Sequence, residues 1–267
     1  MGENVGNASA NLSRLERSLL RLFPPFDDQD PWVRKNRVVL AEKVSRVGEV
    51  ANARSMADIG CGDGSFTKHM VKFISSQAAI VGCDLDNSSL RRAKINAPGL
   101  DPIRCDATSL PIRPESFELV FSKDLLHHAT NRKGVLREFG RIAKRSSRII
   151  IVEGNRLNPI MLIFARYGNH NHMTPESLTK LARSNLEGKL KFETVDAHPY
   201  YAYALRPGAS PLVLVWDYMW LLFKGFVNFI PAIALIVLKA ERSIGESDLW
   251  ERRRSFNVVV TTLQRQC

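Results

Sequence analysis

Between about residue 55 and residue 155 the chain alternates short apolar runs with amphipathic segments, and this alternation limits the fold more than any other feature. The runs MADIG (56–60), AAIVGCDL (78–85), DPIRCDA (101–107), SFELVFSK (116–123) and RIIIVEG (148–154) read as strands. The segments between them, SFTKHMVKFIS (65–75), NSSLRRAKIN (87–96) with Asn87 as its cap, and a stretch over 131–145, read as helices. RIIIVEG is apolar on consecutive positions, as a strand covered on both faces should be. Strand and helix in strict alternation predict βαβ units and a parallel sheet.

The flanks are less regular. Residues 11–23 and 32–49 carry helical periodicity around a breaker-rich loop, FPPFDDQDP (23–31). TPESLTKLARSNLE (174–187) predicts a helix with Thr174 as N-cap and Pro175 in its first turn. KLKFETVDA (189–197) and SFNVVVTTLQ (255–264) predict two further strands. At 45% hydrophobic and 24% charged, the 267 residues have the composition of a soluble globular protein. The four cysteines form no CxxC pair, which predicts a reducing, cytoplasmic setting and no zinc site. MGENVGNASA has no apolar run, so no signal peptide is expected, and Gly6 stands where a myristoylation signal needs Ser or Thr.

The first predicted strand runs into ADIGCGDGSFT (57–67), with glycines at 60, 62 and 64. In open parallel sheets, ligands bind beyond the carboxyl ends of the strands, so this turn is the place to look. A phosphate-binding P-loop needs Lys followed by Ser or Thr directly after its glycines. Lys68 comes too late and is followed by His69. A dinucleotide turn needs its third glycine three residues after the second, and that position is Ser65. The spacing is instead DxGxGxG, with Asp58 two residues ahead of Gly60.

This turn resembles the first motif of the class I S-adenosylmethionine-dependent methyltransferases. The resemblance implies that S-adenosyl-L-methionine is the cofactor. Gly60, Cys61, Gly62 and Gly64 would form the turn, and Asp58 would lie near the cofactor's amino group. The second strand ends in GCDLD, where Asp84 would accept both ribose hydroxyls and Leu85 would pack on the adenine. The third ends in CDA, where Asp106 would meet the exocyclic amine and Ala107 the ring. Ser122, ending the fourth strand, would lie near the reactive methyl. The implied fold is Rossmann-like: a seven-stranded, mostly parallel sheet with an antiparallel last strand, helices on both faces and a helical insertion before that strand. GCDLD, LLHH and the helix after them are similar to the ubiquinone- and menaquinone-biosynthesis type of small-molecule methyltransferase.

Methyl transfer from a sulfonium is chiefly a problem of alignment, and a base is needed only where the acceptor must lose a proton. His127, His128 and Glu153, at the ends of the fourth and fifth strands, are the acceptor-side catalytic candidates. A packed or capping histidine is the plainer alternative. His170, His172 and His198 come from segments that often cover an acceptor pocket. HNH at 170–172 has no third ligand evident in the sequence, so no metal is expected. No NPPY-type motif follows the fourth strand, and no cysteine stands where attack on a nucleobase would need one.

The stretch 211–238 is strongly apolar, with Lys224 the one charge between Tyr218 and Leu238. A single crossing would put the flanking strands on opposite sides of a membrane. An interfacial hairpin, a lid over the acceptor or a homodimer contact keeps them together. The net charge of +11 suits nucleic acid or an anionic membrane surface. Lys133, Arg137, Arg141 and Arg145 fall at four-residue spacing on the predicted helix face. No RNA-binding module is visible, so nucleic acid is disfavoured. The expected organisation is an N-terminal helical cap (1–50), a core (51–204), an apolar helical insertion (205–250) and a last core strand (251–267). The expected acceptor is small and apolar or lipid-like, with peripheral membrane contact. RNA methylation, or binding without catalysis, are the alternatives.

Overall fold

The computed structural model describes residues 31–156, 171–186, 189–195 and 256–262. The expected apolar insertion, the helix at 11–23, His170 and His198 lie outside the described residues. The chain order is α1 (Pro31–Gly48), β1 (Ser55–Ile59), α2 (Thr67–Met70), β2 (Ala79–Asp84), α3 (Asn87–Asn96), β3 (Leu100–Arg104), β4 (Phe117–Lys123), α4 (Arg132–Ile142), β5 (Ala143–Gly154), α5 (Pro175–Arg183), β6 (Lys189–Val195) and β7 (Phe256–Thr262).

The five central strands are parallel, as their apolar runs require. The strand order is β3-β2-β1-β4-β5-β7-β6. β7 pairs antiparallel with both β5 and β6. The chain leaves β1 for β2 on one side and returns to β4 on the other, so the order reverses at β1. The crevice at that reversal is where ligands bind in open α/β sheets.

Alternation along each strand feeds two cores. On one face Met56, Ile80, Leu119, Phe121, Ile150 and Val152 pack with Leu40, Ala41 and Val44 of α1. On the other, Ala57, Ile59, Val120, Ile149 and Ile151 pack with Val135, Leu136 and Phe139 of α4 and Leu178 and Ala182 of α5. Neighbouring β5 residues thus enter opposite cores, which is why RIIIVEG has no polar face. No helix among the described residues is long and apolar enough to cross a membrane.

Three local expectations need correction. Asp86, not Asn87, caps α3. Its carboxylate accepts from the amides of Ser88 and Ser89 at 3.0 and 3.1 Å and from both their hydroxyls. The predicted helix at 65–75 is a single α turn followed by a 3-10 turn at Val71–Phe73. The helix predicted over 131–145 ends at Ile142, where the chain enters β5. Arg145 therefore lies on a strand, paired with Glu115, and the basic stripe loses its fourth member. Arg141 also leaves the stripe, because its guanidinium turns inward. It donates to Glu138 and to the carbonyls of Leu110 and Ile112. Thr174 caps α5 as expected, accepting from the Ser177 amide at 3.2 Å.

Candidate cofactor and acceptor site

All three glycines of the first turn have positive φ: 78° at Gly60, 54° at Gly62 and 69° at Gly64. Other residues rarely adopt this conformation without strain. Space adds a second demand at Gly64, where a Cβ would stand 3.0 Å from the Ala93 Cα. The turn can therefore lie directly against α3. The amides of Gly60 and Cys61 both donate to the Cys83 carbonyl, at 2.8 and 3.0 Å, which ties the turn to the end of β2.

Asp84 is half-buried at that strand end. Its Oδ2 accepts from the Gly62 amide and its Oδ1 from the Asp86 amide, both at 2.9 Å. Two backbone donors fix the carboxylate, and a carboxylate retains acceptor capacity beyond two bonds. Leu85 beside it is 63% exposed, an unusual state for a large apolar side chain. Asp106 is exposed, its Oδ1 accepting from the Thr108 amide and hydroxyl. Those two bonds hold its carboxyl below the usual range. Half-buried Ala107 packs against the second core.

Asp58 is buried and accepts from the Thr67 hydroxyl at 2.6 Å. Burial is the main reason its carboxyl is pushed up to about 7, with Asp84 adding to the rise against the Thr67 bond and Lys123. A cavity of about 140 Å³ opens here, lined by Asp58, Gly60 and Cys61 together with Arg37, Ser65, Phe66, Phe121 and Lys123. Arg37 and Lys123 bring two cationic side chains to the cavity, and Lys123 acts electrostatically on Asp58. Sequence reasoning missed both. Lys123 follows Ser122 directly, so the strand-end rule reaches it. Arg37 comes from α1 and is close only because α1 packs on that face. Ser122 itself is fully buried, and its Oγ has no hydrogen-bond partner among the described residues.

The ends of β4 and β5 bring together the acceptor-side candidates. His127 Nδ1 stands 2.7 Å from Glu153 Oε2, and the Leu126 amide donates to Glu153 Oε1 at 2.6 Å. Both side chains are buried, whereas His128 is exposed, with its ring 4.1 Å from that of His127. His172 is the member that spacing alone could not find. Its ring lies 4.3 Å from that of His127. A parallel bridge between Asn155 and Met173 sets its segment beside the end of β5. Asp124, at φ 56°, pairs with Lys123. Burial works against its ionisation, but Lys123, His127 and His172 together hold its carboxyl below the usual range.

Residues 57–151 match the family model described as a methyltransferase domain. The chain is 22% identical over 157 residues to a probable S-adenosylmethionine-dependent methyltransferase of Mycobacterium tuberculosis, covering 58% of this chain and 55% of that protein. It is 24% identical to the ubiquinone/menaquinone biosynthesis C-methyltransferase UbiE of Vibrio campbellii, covering 56% of each chain. It is also 27% identical over 123 residues to the probable tRNA methyltransferase 9B of Homo sapiens, covering 46% of this chain and 24% of that one. The chain thus spans about half the length of the first curated relatives it matches, 55% in the mycobacterial case. In fold it is similar to phosphoethanolamine N-methyltransferase 2 of Haemonchus contortus, at TM-score 0.55 and 16% identity over 85% of this chain and 53% of that one. With the glycine turn and the acids at successive strand ends, these likenesses identify residues 57–151 as a domain of the class I S-adenosylmethionine-dependent methyltransferase family.

Proposed function

We propose that the protein transfers the methyl group of S-adenosylmethionine to a small, apolar or lipid-like acceptor. The observation that carries the reading is the row of acids and apolar surface at the reversal of strand order. Asp58, Asp84 and Asp106 lie at or just beyond the carboxyl ends of three successive strands, with exposed Leu85 between two of them. Asp84, held by the Gly62 and Asp86 amides, accepts the ribose hydroxyls. Leu85 covers the adenine, Asp106 takes its amine, and the Ala107 backbone meets the ring. The cavity holds the methionine end: Arg37 and Lys123 attract its carboxylate, and ionised Asp58 its ammonium. Ser122, expected beside the reactive methyl, is fully buried while its neighbours Phe121 and Lys123 line the cavity, so it takes no part in this reading.

Glu153 receives the Leu126 amide and His127, so the turn after β4 is held rigidly at the acceptor side. His127 and Glu153 present polar atoms to the acceptor, and exposed His128 lies at the entrance. The complete architecture in this reading is a seven-stranded sheet with an antiparallel last strand. The 205–250 insertion selects the acceptor and brings the protein to anionic membrane surfaces from the cytoplasm.

RNA is the second reading. The likeness to a probable tRNA methyltransferase and the net charge of +11 favour it. Incubation with methyl-labelled S-adenosylmethionine and fractionated cell extract separates the two. Label in the organic phase supports the lipid-like acceptor, and label in purified RNA overturns it. Cofactor binding without label in any fraction overturns catalysis itself.

A further inference from the structure

We infer that His127, Glu153 and His172 form a binding site for a divalent first-row transition metal. The role given to that metal, polarising the acceptor's oxygen, rests on the methyl-transfer reading above.

One ligand atom from each of these side chains lies within 4.8 Å of the other two, and all three residues are buried. They come from separate segments: the turn after β4, the tip of β5 and the strand-like stretch before α5. Each segment is fixed by its own contacts. Arg132 Nε donates to the Leu126 carbonyl at 2.8 Å, and its second terminal nitrogen donates to the Asn171 carbonyl at 2.9 Å. That one guanidinium therefore sets the spacing between the His127 turn and the His172 stretch. The Arg156 amide donates to the Met173 carbonyl at 3.1 Å. Gly154 makes the room, since a Cβ there would stand 2.7 Å from His172 Nδ1. Contacts of this kind orient ligands before a metal arrives.

Charge and donor chemistry agree. Glu153 is completely buried, its carboxylate accepting from the Leu126 amide and standing 2.7 Å from His127 Nδ1. Burying a carboxylate is costly unless a positive charge balances it. Two imidazoles and one carboxylate match a catalytic zinc donor set, with the fourth position left open. The two nitrogens select zinc, iron, nickel or copper, with cobalt as the spectroscopic stand-in for zinc, over magnesium, calcium and manganese, which prefer oxygen. A tetrahedral ion with bonds of about 2.1 Å spaces its ligands about 3.4 Å apart. His127 Nδ1 and Glu153 Oε2, now 2.7 Å apart, would separate slightly as the ion takes the place of their shared proton. The acceptor's oxygen would fill the open position.

The test uses the full chain, stripped with chelator and titrated with Co²⁺. One equivalent should bind with visible d–d absorption, and Zn²⁺ should displace it. His172→Asn should weaken Co²⁺ by roughly tenfold or more, while its affinity for S-adenosylmethionine stays within about twofold of the parent and so reports an intact fold. Glu153→Gln should weaken Co²⁺ likewise. Two results would overturn the site: no Co²⁺ absorption in protein that binds S-adenosylmethionine, or Co²⁺ binding that His172→Asn leaves unchanged. Co²⁺ binding lost in His172→Asn, in protein that does not bind S-adenosylmethionine, would keep the metal site and remove the cofactor reading.

Discussion

The Asp84 carboxylate accepts from the Gly62 amide at 2.9 Å, joining the tip of β2 to the middle of the glycine turn 22 residues earlier in the chain. The expected ribose acceptor is thus also a strut for the turn that the cofactor must approach. In the proposed function, binding and local structure would be coupled through this one side chain.

The glycines of the turn are unequal. Gly62 and Gly64 both have positive φ, but a Cβ at Gly62 meets nothing within 4 Å, whereas one at Gly64 meets backbone of α3 at 3.0 Å. Gly62→Ala should cost about 1–2 kcal/mol, the left-handed penalty alone. Gly64→Ala should cost more, since a backbone neighbour cannot swing away. Urea unfolding of the two variants checks this, and equal losses would contradict it.

Asp58 predicts a pH signature. Its folded pKa of about 7 lies above the ordinary value near 3.9. Between those values the folded state binds the extra proton. Stability from this group is therefore complete below about pH 4, falls as pH rises and is lost above about pH 7. Asp58→Asn removes the titration and keeps an acceptor for Thr67. The variant's melting temperature, measured relative to the parent from pH 5 to 8, should rise to about pH 7 and then level off. A constant offset would show that Asp58 does not titrate in this range.

Arg141 reads as a surface charge by spacing and as a half-buried clamp by structure. Its donors hold Glu138 and two carbonyls of the 110–112 loop. Arg141→Ala should destabilise by about 1.5–3 kcal/mol, the range for hydrogen bonds to charged groups. Exposed Lys133→Ala and Arg137→Ala should stay within about 0.5 kcal/mol of the parent. Chemical denaturation of the three variants distinguishes a clamp from a solvated stripe.

These cases mark how far the sequence could be read. The parallel centre was legible because burial on both faces leaves a continuous apolar run, as in RIIIVEG, and burial acts on every residue of the strand. The acids of the candidate site were legible because they fall at strand ends, which the alternation itself locates. Asp58, Asp84 and Asp106 needed no knowledge of packing. Arg37 and His172 did, because a helix docked on the sheet and a stretch bridged to Asn155 bring them in. The Arg141 error has a similar origin. Four-residue spacing gives a helix face but not what that face meets, and here a loop lies against it. The early end of α4 was hidden because AKRSS has no strong breaker, and pairing of Phe117 with Ala143 overrides weak local preference.

The central claim, that the glycine turn and the acids beside it form a cofactor site, is tested most directly by calorimetric titration of the full chain with S-adenosylmethionine. The account predicts one equivalent bound, and affinity lowered by roughly 10- to 150-fold in Asp84→Asn, since the lost bonds are charge-assisted. Absence of binding to the folded parent, or equal affinity in Asp84→Asn, would contradict it.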